Sequence, residues 1–141
     1  MGRGGRALSL KALLDTHVLL WWLATTARLS ATQRAIIDSA TADEPLWVSD
    51  ITLWEIATLS SLGRIRLHLP LREWLEKATA PPLVQRVSIT PAVAAEVAEL
   101  PDSFHRDPAD RIIVASAKVL GATLLTHDRQ IIDSGLVPTI R

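Results

Sequence analysis

Short apolar runs alternate along this chain with stretches of helical periodicity, and that alternation leaves few folds open. Ala12–Leu14, Leu46–Val48 and Ala122–Thr126 are each followed by polar residues suited to start a helix. A strand buried on both faces reads as a continuous apolar run, whereas a strand with one wet face alternates. Strands separated by helical stretches pair in parallel, with helices packed on both faces. The expected fold class is therefore α/β, with a mostly parallel central sheet covered on each side.

Capping residues set the expected boundaries. Thr16 is placed to cap a helix reaching about Ala24. Ser30–Gln33 has the form of a capping box and predicts a helix to about Thr41. Ser49 or Asp50 opens a helix that Gly63 ends. Pro70 precedes a helix near Arg72–Thr79, and the β-branched stretch Val84–Ile89 predicts a strand. Thr90-Pro91 and Asp107-Pro108 each join a cap to a proline at the first helical position. They predict helices to Leu100 and Leu120, the second closed by Gly121. A short helix over Arg129–Ser134 and a strand over Val137–Ile140 complete the chain. Residues 1–10 read as a flexible basic leader, and residues 11–141 as one domain of ordinary size. Asp15 and His17 interrupt the apolar stretch that runs to Leu23, which argues against a signal peptide or a membrane span.

Four acids border these core-forming segments. Asp15 follows the first apolar run, and Asp128 follows Leu-Leu-Thr-His. Glu55 lies inside a helix with Ile51 and Leu59 one turn away on its face, and Asp110 sits in the first turn of another helix. Open parallel sheets bind ligands beyond the carboxyl ends of their strands, a rim that all four can reach. Two carboxylates ~6 Å apart repel by about 3 kcal/mol at an effective dielectric near 20. Six such pairs rival the whole stability of a domain, about 5–15 kcal/mol. Either some acids hold protons or a cation neutralises them.

The composition narrows the choice of cation. With no cysteine there is no thiolate site and no disulfide, and the four histidines are not spaced as zinc ligands. Hard oxygen donors favour Mg²⁺ or Mn²⁺. A dication so held activates water against a phosphodiester. The 15 basic and 15 acidic residues cancel, so any nucleic-acid contact must be local rather than a broad basic face. The bland alternative is that Asp15, Asp107 and Asp128 only cap helices, and that Asp110 pairs with Arg111.

At these acids the chain resembles PIN-domain ribonucleases, and among them the VapC-type toxins of type II toxin–antitoxin pairs. The matching stretches are Leu14–Leu23, Ser49–Ala57 with Leu62–Ile65, His105–Ile113 and Leu125–Asp128, in the family's order. The resemblance implies a three-layer α/β/α fold around a five-stranded sheet. It implies a Mg²⁺-dependent (or Mn²⁺-dependent) endoribonuclease that leaves a 5′-phosphate and a 3′-hydroxyl. Asp15, Glu55, Asp110 and Asp128 match the family's catalytic, metal-holding acids, and Asp107 looks like an auxiliary acid. Thr16 and Thr126 match small polar positions that orient a carboxylate or a metal-bound water. Ala109 stands where this subgroup often has a bulky aromatic. A homodimer, a VapB-type antitoxin and an RNA substrate are implied as well, and the absence of cysteine fits a reducing cytoplasm.

Other residues carry weaker expectations. Arg106 is a candidate RNA contact, against the commoner case of a solvated loop arginine. His17 reads as a packing or hydrogen-bonding residue. Arg64, Arg66, Arg72 and Lys77 read as a solvated face more readily than as an RNA track. The five tryptophans read as core or dimer packing, with Trp47 in the core and Trp54 behind Glu55, ahead of base stacking. Apolar residues near Leu19–Leu23 and Leu71–Leu75 offer a groove for an antitoxin helix. Two rival readings are a catalytically silent binding module on the same fold and an aspartyl-phosphate or receiver-like α/β domain. His17 stands where a haloacid-dehalogenase-type enzyme needs a second Asp, and no late strand-end lysine suits a receiver.

Overall fold

A computed structural model describes residues 10–24 and 26–141. The expected leader falls almost wholly outside the described residues. Five strands form one sheet: β1 (Ala12–Leu14), β2 (Leu46–Ser49), β3 (Val84–Val87), β4 (Thr123–Leu125) and β5 (Thr139–Ile140). Their order is β3-β2-β1-β4-β5, and every pairing is parallel. Seven helices are described: α1 (Thr16–Leu23), α2 (Ala31–Asp38), α3 (Asp50–Ser61), α4 (Leu71–Ala78), α5 (Pro91–Glu99), α6 (Pro108–Leu120) and α7 (Arg129–Ser134).

The two-residue period of a strand divides the core into two layers. Ala12 and Leu14 of β1 and Leu125 of β4 face a layer built with Val18, Leu19, Ile37, Ile56 and Trp74. Leu13 and Leu124 face the opposite layer, with Ile113, Val114, Ala117, Phe104 and Ile131. Leu13, Leu14, Leu124 and Leu125 are wholly buried, as central strands covered by helices on both faces require. The edge strands β3 and β5 are partly exposed.

Several boundaries differ from those the sequence predicts, each for a local reason. Asp15, not Thr16, caps α1, because its carboxylate accepts the Thr16 N–H at 2.8 Å while the Thr16 hydroxyl is engaged elsewhere. Strand β3 stops at Val87 because its partner β2 turns into α3 after Ser49, leaving Ser88 and Ile89 no ladder to join. Strand β5 starts at Thr139 because Pro138 has no N–H, although its carbonyl still accepts from Leu124 at 2.9 Å. Helix α2 ends at Asp38, where the Ser39 hydroxyl donates to Ile36 O. Gly121 closes α6 as expected, with a φ of 65° that suits a residue lacking Cβ.

The chain moves outward from β1 through β2 to β3, then returns to place β4 and β5 on the other side. The direction of progression therefore reverses between β1 and β4. Loops leaving adjacent strands diverge at such a reversal and open a crevice at the carboxyl ends. Asp15 follows β1 there, and Thr126, His127 and Asp128 follow β4. No described helix is long and apolar enough to cross a membrane.

Candidate active site

Asp15, Glu55, Asp107, Asp110 and Asp128 line one cavity of about 370 Å³ at that crevice, together with His17, Trp21 and His127. Four elements deliver the five acids. Asp15, Asp107 and Asp128 are the N-caps of α1, α6 and α7, and each uses one carboxylate oxygen on a backbone N–H. Capping and convergence are thus the same placement: helix N-termini gather where parallel strands end, and a capping acid there faces the crevice. The partial positive charge of three helix ends also favours acids at this rim.

A hydroxyl scaffold fixes two of the acids. Thr126 is fully buried and donates to Asp15 Oδ2 at 2.6 Å, while its oxygen accepts the Asp128 N–H at 3.0 Å. One side chain from β4's exit therefore ties the acid after β1 to the backbone of the acid before α7. Thr16 donates to Glu55 Oε1, so the 3.0 Å contact between Thr16 and Thr52 hydroxyls has Thr52 as donor. Thr52, one turn before Glu55 on α3, and Thr16, at the start of α1, are both buried and together hold Glu55.

The acids resist ionising together. Burial pushes the Asp15 carboxyl up from its usual range, against the lowering effect of its Thr126 and Thr16 hydrogen bonds. Glu55 is raised by burial, with the Thr16 hydrogen bond opposing and Asp15 and Asp107 adding. Asp110 is pushed up to about 8, first by burial and then by the charges of Asp15, Asp107, Asp128 and Glu55. Each of its charged neighbours acts in the same direction, which is what a cavity built for a cation looks like before the cation is counted.

Not every feature was anticipated. His105, in the loop before α6, brings its Nε2 to 3.2 Å from Asp110 Oδ2 without hydrogen-bond geometry, and that nitrogen is otherwise buried without a partner. His105, Asp110 and Asp128 offer ligand atoms within 4.8 Å of one another. Arg111 steadies this loop by donating to the carbonyls of Phe104 at 3.1 Å and His105 at 3.3 Å. It is therefore not the partner of Asp110 that the bland reading supposed. Arg106 is exposed and does not line the acidic cavity. Trp54 is 60% exposed rather than packed behind Glu55, because that position is taken by Thr16 and Thr52. Trp47 is only partly buried, with the Lys11 ammonium 6.0 Å from its ring.

Gln33 is a second unanticipated residue. It is fully buried, donates through Nε2 to Ile140 O at 2.8 Å, and accepts through Oε1 from His127 Nε2 at 2.8 Å. This fixes the imidazole beside the Trp21 ring, 5.0 Å away edge-on, and burial lowers its pKa. A buried polar residue in a capping box has no marker in sequence. Gln33→Leu leaves the His127 ring N–H without its partner, while the Ile140 carbonyl keeps the Thr126 N–H at 3.1 Å, and we expect a loss of about 1–3 kcal/mol in urea unfolding. A loss under about 0.5 kcal/mol would show the bridge to be dispensable.

Known proteins resemble this chain in sequence and in fold. Residues 12–134 match the PIN domain family. The chain is 42% identical over 119 residues to Ribonuclease VapC22 of Mycobacterium tuberculosis, spanning 84% of this chain and 88% of that one. This chain is a PIN-domain protein of the VapC type. Two solved structures share the PIN fold at low identity. VapBC2 from Rickettsia felis, bound to a DNA fragment from its promoter, superposes with a TM-score of 0.68 at 12% identity, covering 93% of this chain and 98% of that one. DNA-bound VapBC from Salmonella typhimurium gives 0.67 at 15% identity, covering 94% and 98%. The PIN family thus accounts for the all-parallel five-stranded sheet, as the sequence led one to expect.

The donor set of this PIN domain fits a hard dication. Every acid supplies oxygen, no thiolate is present, and the charges that raise Asp110 all come from residues around the same cavity.

Proposed function

We propose that this protein is a metal-dependent endoribonuclease that hydrolyses RNA phosphodiesters as the toxin of a toxin–antitoxin pair. The observation that carries this reading is the meeting of Asp15, Glu55, Asp107, Asp110 and Asp128 in one cavity at the point where the strand order reverses. In it, Asp15, Glu55, Asp110 and Asp128 hold Mg²⁺ or Mn²⁺, directly or through water, with Asp107 as an auxiliary acid. When bound, the ion supplies a Lewis acid for the phosphoryl oxygen and a water made acidic enough to attack.

The chain's own residues do the rest. Thr126 and the Thr16 N–H hold Asp15 in one orientation, and the Thr52–Thr16 relay holds Glu55. Neither acid has to reorganise as charge develops, which is the condition for electrostatic catalysis. One of the four acids takes the proton released by the attacking water. Water attacks phosphorus and the bond to the 3′-oxygen breaks, leaving a 5′-phosphate and a 3′-hydroxyl. The partner that silences the site is a VapB-type antitoxin, as the VapBC complexes on the same fold support. A homodimer acting in the cytoplasm completes the proposal.

The test is cleavage of end-labelled single-stranded RNA by the purified chain, with Mn²⁺ or Mg²⁺ and with EDTA. Cleavage that stops in EDTA, returns with added ion and leaves 5′-phosphate ends is expected. Undiminished cleavage in EDTA would contradict the metal site, and no cleavage with either ion would contradict the nuclease.

A further inference from the structure

A second cavity, of about 390 Å³, adjoins the acidic one. The two share His17 and Trp21 as walls. Its charge is the reverse of its neighbour's: Arg28, Arg64 and Arg66 line it, and no acid does. Its apolar lining includes Leu20, Leu67 and Trp74.

The state of the cations matters more than their number. Among the described residues, Arg28, Arg64 and Arg66 form no ion pair within 4.0 Å, and all three are exposed. The Arg28 guanidinium lies 5.7 Å from the Trp21 ring. By contrast, Arg72 is paired with Glu76 at 3.2 Å and Lys77 with Glu73 at 3.4 Å, along the surface of α4. The four cations Arg64, Arg66, Arg72 and Lys77 therefore separate into two kinds. Two are neutralised within their own helix, and two stand unpaired beside the acidic cavity and are joined there by Arg28.

A chain with no net charge has concentrated unpaired cations beside its most acidic crevice. A polyanion explains the arrangement. Five acids repel every phosphate of a strand except one that a dication holds. Phosphates on either side of that one need compensating charge close by, and the wall shared by the two cavities sets them side by side. We propose that this groove is the track on which a single-stranded RNA leaves the acidic cavity, with Arg28, Arg64 and Arg66 on its phosphates and a base against Trp21. A tryptophan face accepts any base, and arginines along a groove read backbone rather than sequence, so the track binds single strands with little sequence preference. The inference rests on the endoribonuclease reading and adds to it the path of the substrate.

The experiment measures binding apart from cleavage. Asp15→Asn protein is titrated against a fluorescein-labelled single-stranded 12-nucleotide RNA by anisotropy, over a series of salt concentrations. Arg64→Ala with Arg66→Ala is added to that background, and Arg72→Ala with Lys77→Ala serves as the matched control of equal charge change. Each phosphate contact on a single strand contributes about 0.7 to the slope of log K against log salt, so losing two should flatten it by about 1.4. Affinity at low salt should fall at least about tenfold in the Arg64/Arg66 pair, and the control should keep the parent's slope. Equal slopes in both pairs overturn the track. They overturn it also where the Arg64/Arg66 pair retains RNA but loses a co-expressed VapB-type antitoxin, which would make the groove a protein-docking face. If the wild-type chain cleaves RNA while the slopes are equal, only the track fails. If it cleaves no RNA with Mn²⁺ or Mg²⁺, the nuclease reading fails first.

Discussion

Asp15→Asn is expected to cut RNA cleavage by at least about 10³-fold while leaving the fold in place. The two halves of that expectation have separate causes. Asparagine has the shape of aspartate and retains a carbonyl oxygen to accept the Thr16 N–H, so the cap of α1 survives. Its amide can donate to Thr126 Oγ1, which reverses the 2.6 Å hydrogen bond without breaking it. What is lost is the full negative charge at the most buried acid of the cavity, and with it the strongest claim on a dication. Far-ultraviolet circular dichroism and a urea midpoint near that of the parent would establish folding, and RNA cleavage under single-turnover conditions would give the rate. Cleavage within tenfold of the parent would remove Asp15 from the catalytic set. Asp15→Ala would be a poorer test, because it also removes the cap and orphans the Thr126 hydroxyl.

How much of this was legible beforehand depends on what kind of information each feature uses. The strands β1, β2 and β4 are legible because continuous burial leaves a continuous apolar run. The helix starts at Pro91 and Pro108 are legible because proline and its capping neighbour encode a local geometry. Asp15, Asp107 and Asp128 posed a choice between capping and chemistry that dissolves in three dimensions, since the cap positions themselves surround the cavity. Tertiary relations leave no such trace. The Thr16–Thr52–Glu55 relay spans 39 residues, and the Gln33–His127 bridge spans 94. Arg72 and Glu76 stand one turn apart in a helix the sequence predicts, so that pairing was legible, whereas the placement of Arg64 and Arg66 beside the acidic cavity was not. Trp54 was misplaced for a related reason. Glu55's inward setting implies that its neighbour one residue away faces outward, and helical periodicity then puts Trp54 on the exposed side.

Without a cation, the protein is expected to lose stability as pH rises from about 4 to about 8, and Asp110→Asn to remove much of that loss. Asp110 moves from an ordinary value of 3.8 to about 8 in the fold, through burial and then four neighbouring acids. Between those values the folded state binds more protons than the unfolded state, so unfolding free energy falls with pH. Glu55 and Asp15, both raised first by burial, act with the same sign. His127, lowered by burial, acts oppositely: below pH 6.5 the unfolded chain takes up the proton more readily, so this residue adds stability as pH rises toward that value. The acids prevail because three of them share one cavity. After discounting for solvent screening, the Asp110 contribution is about 1–3 kcal/mol. Calorimetry in EDTA at pH 8 should therefore find Asp110→Asn melting about 3–10 °C above the parent, with the gap closing by pH 5. Added Mn²⁺ should reverse the order at pH 8, since the parent gains ligand-binding free energy that the variant has forfeited. An Asp110→Asn protein less stable than its parent in EDTA at pH 8 would mean that these acids stabilise the fold, and the cavity would then be no place for a metal. Under the proposed function, acids that destabilise one another at neutral pH are tolerable, because the metal-loaded state supplies the counter-charge.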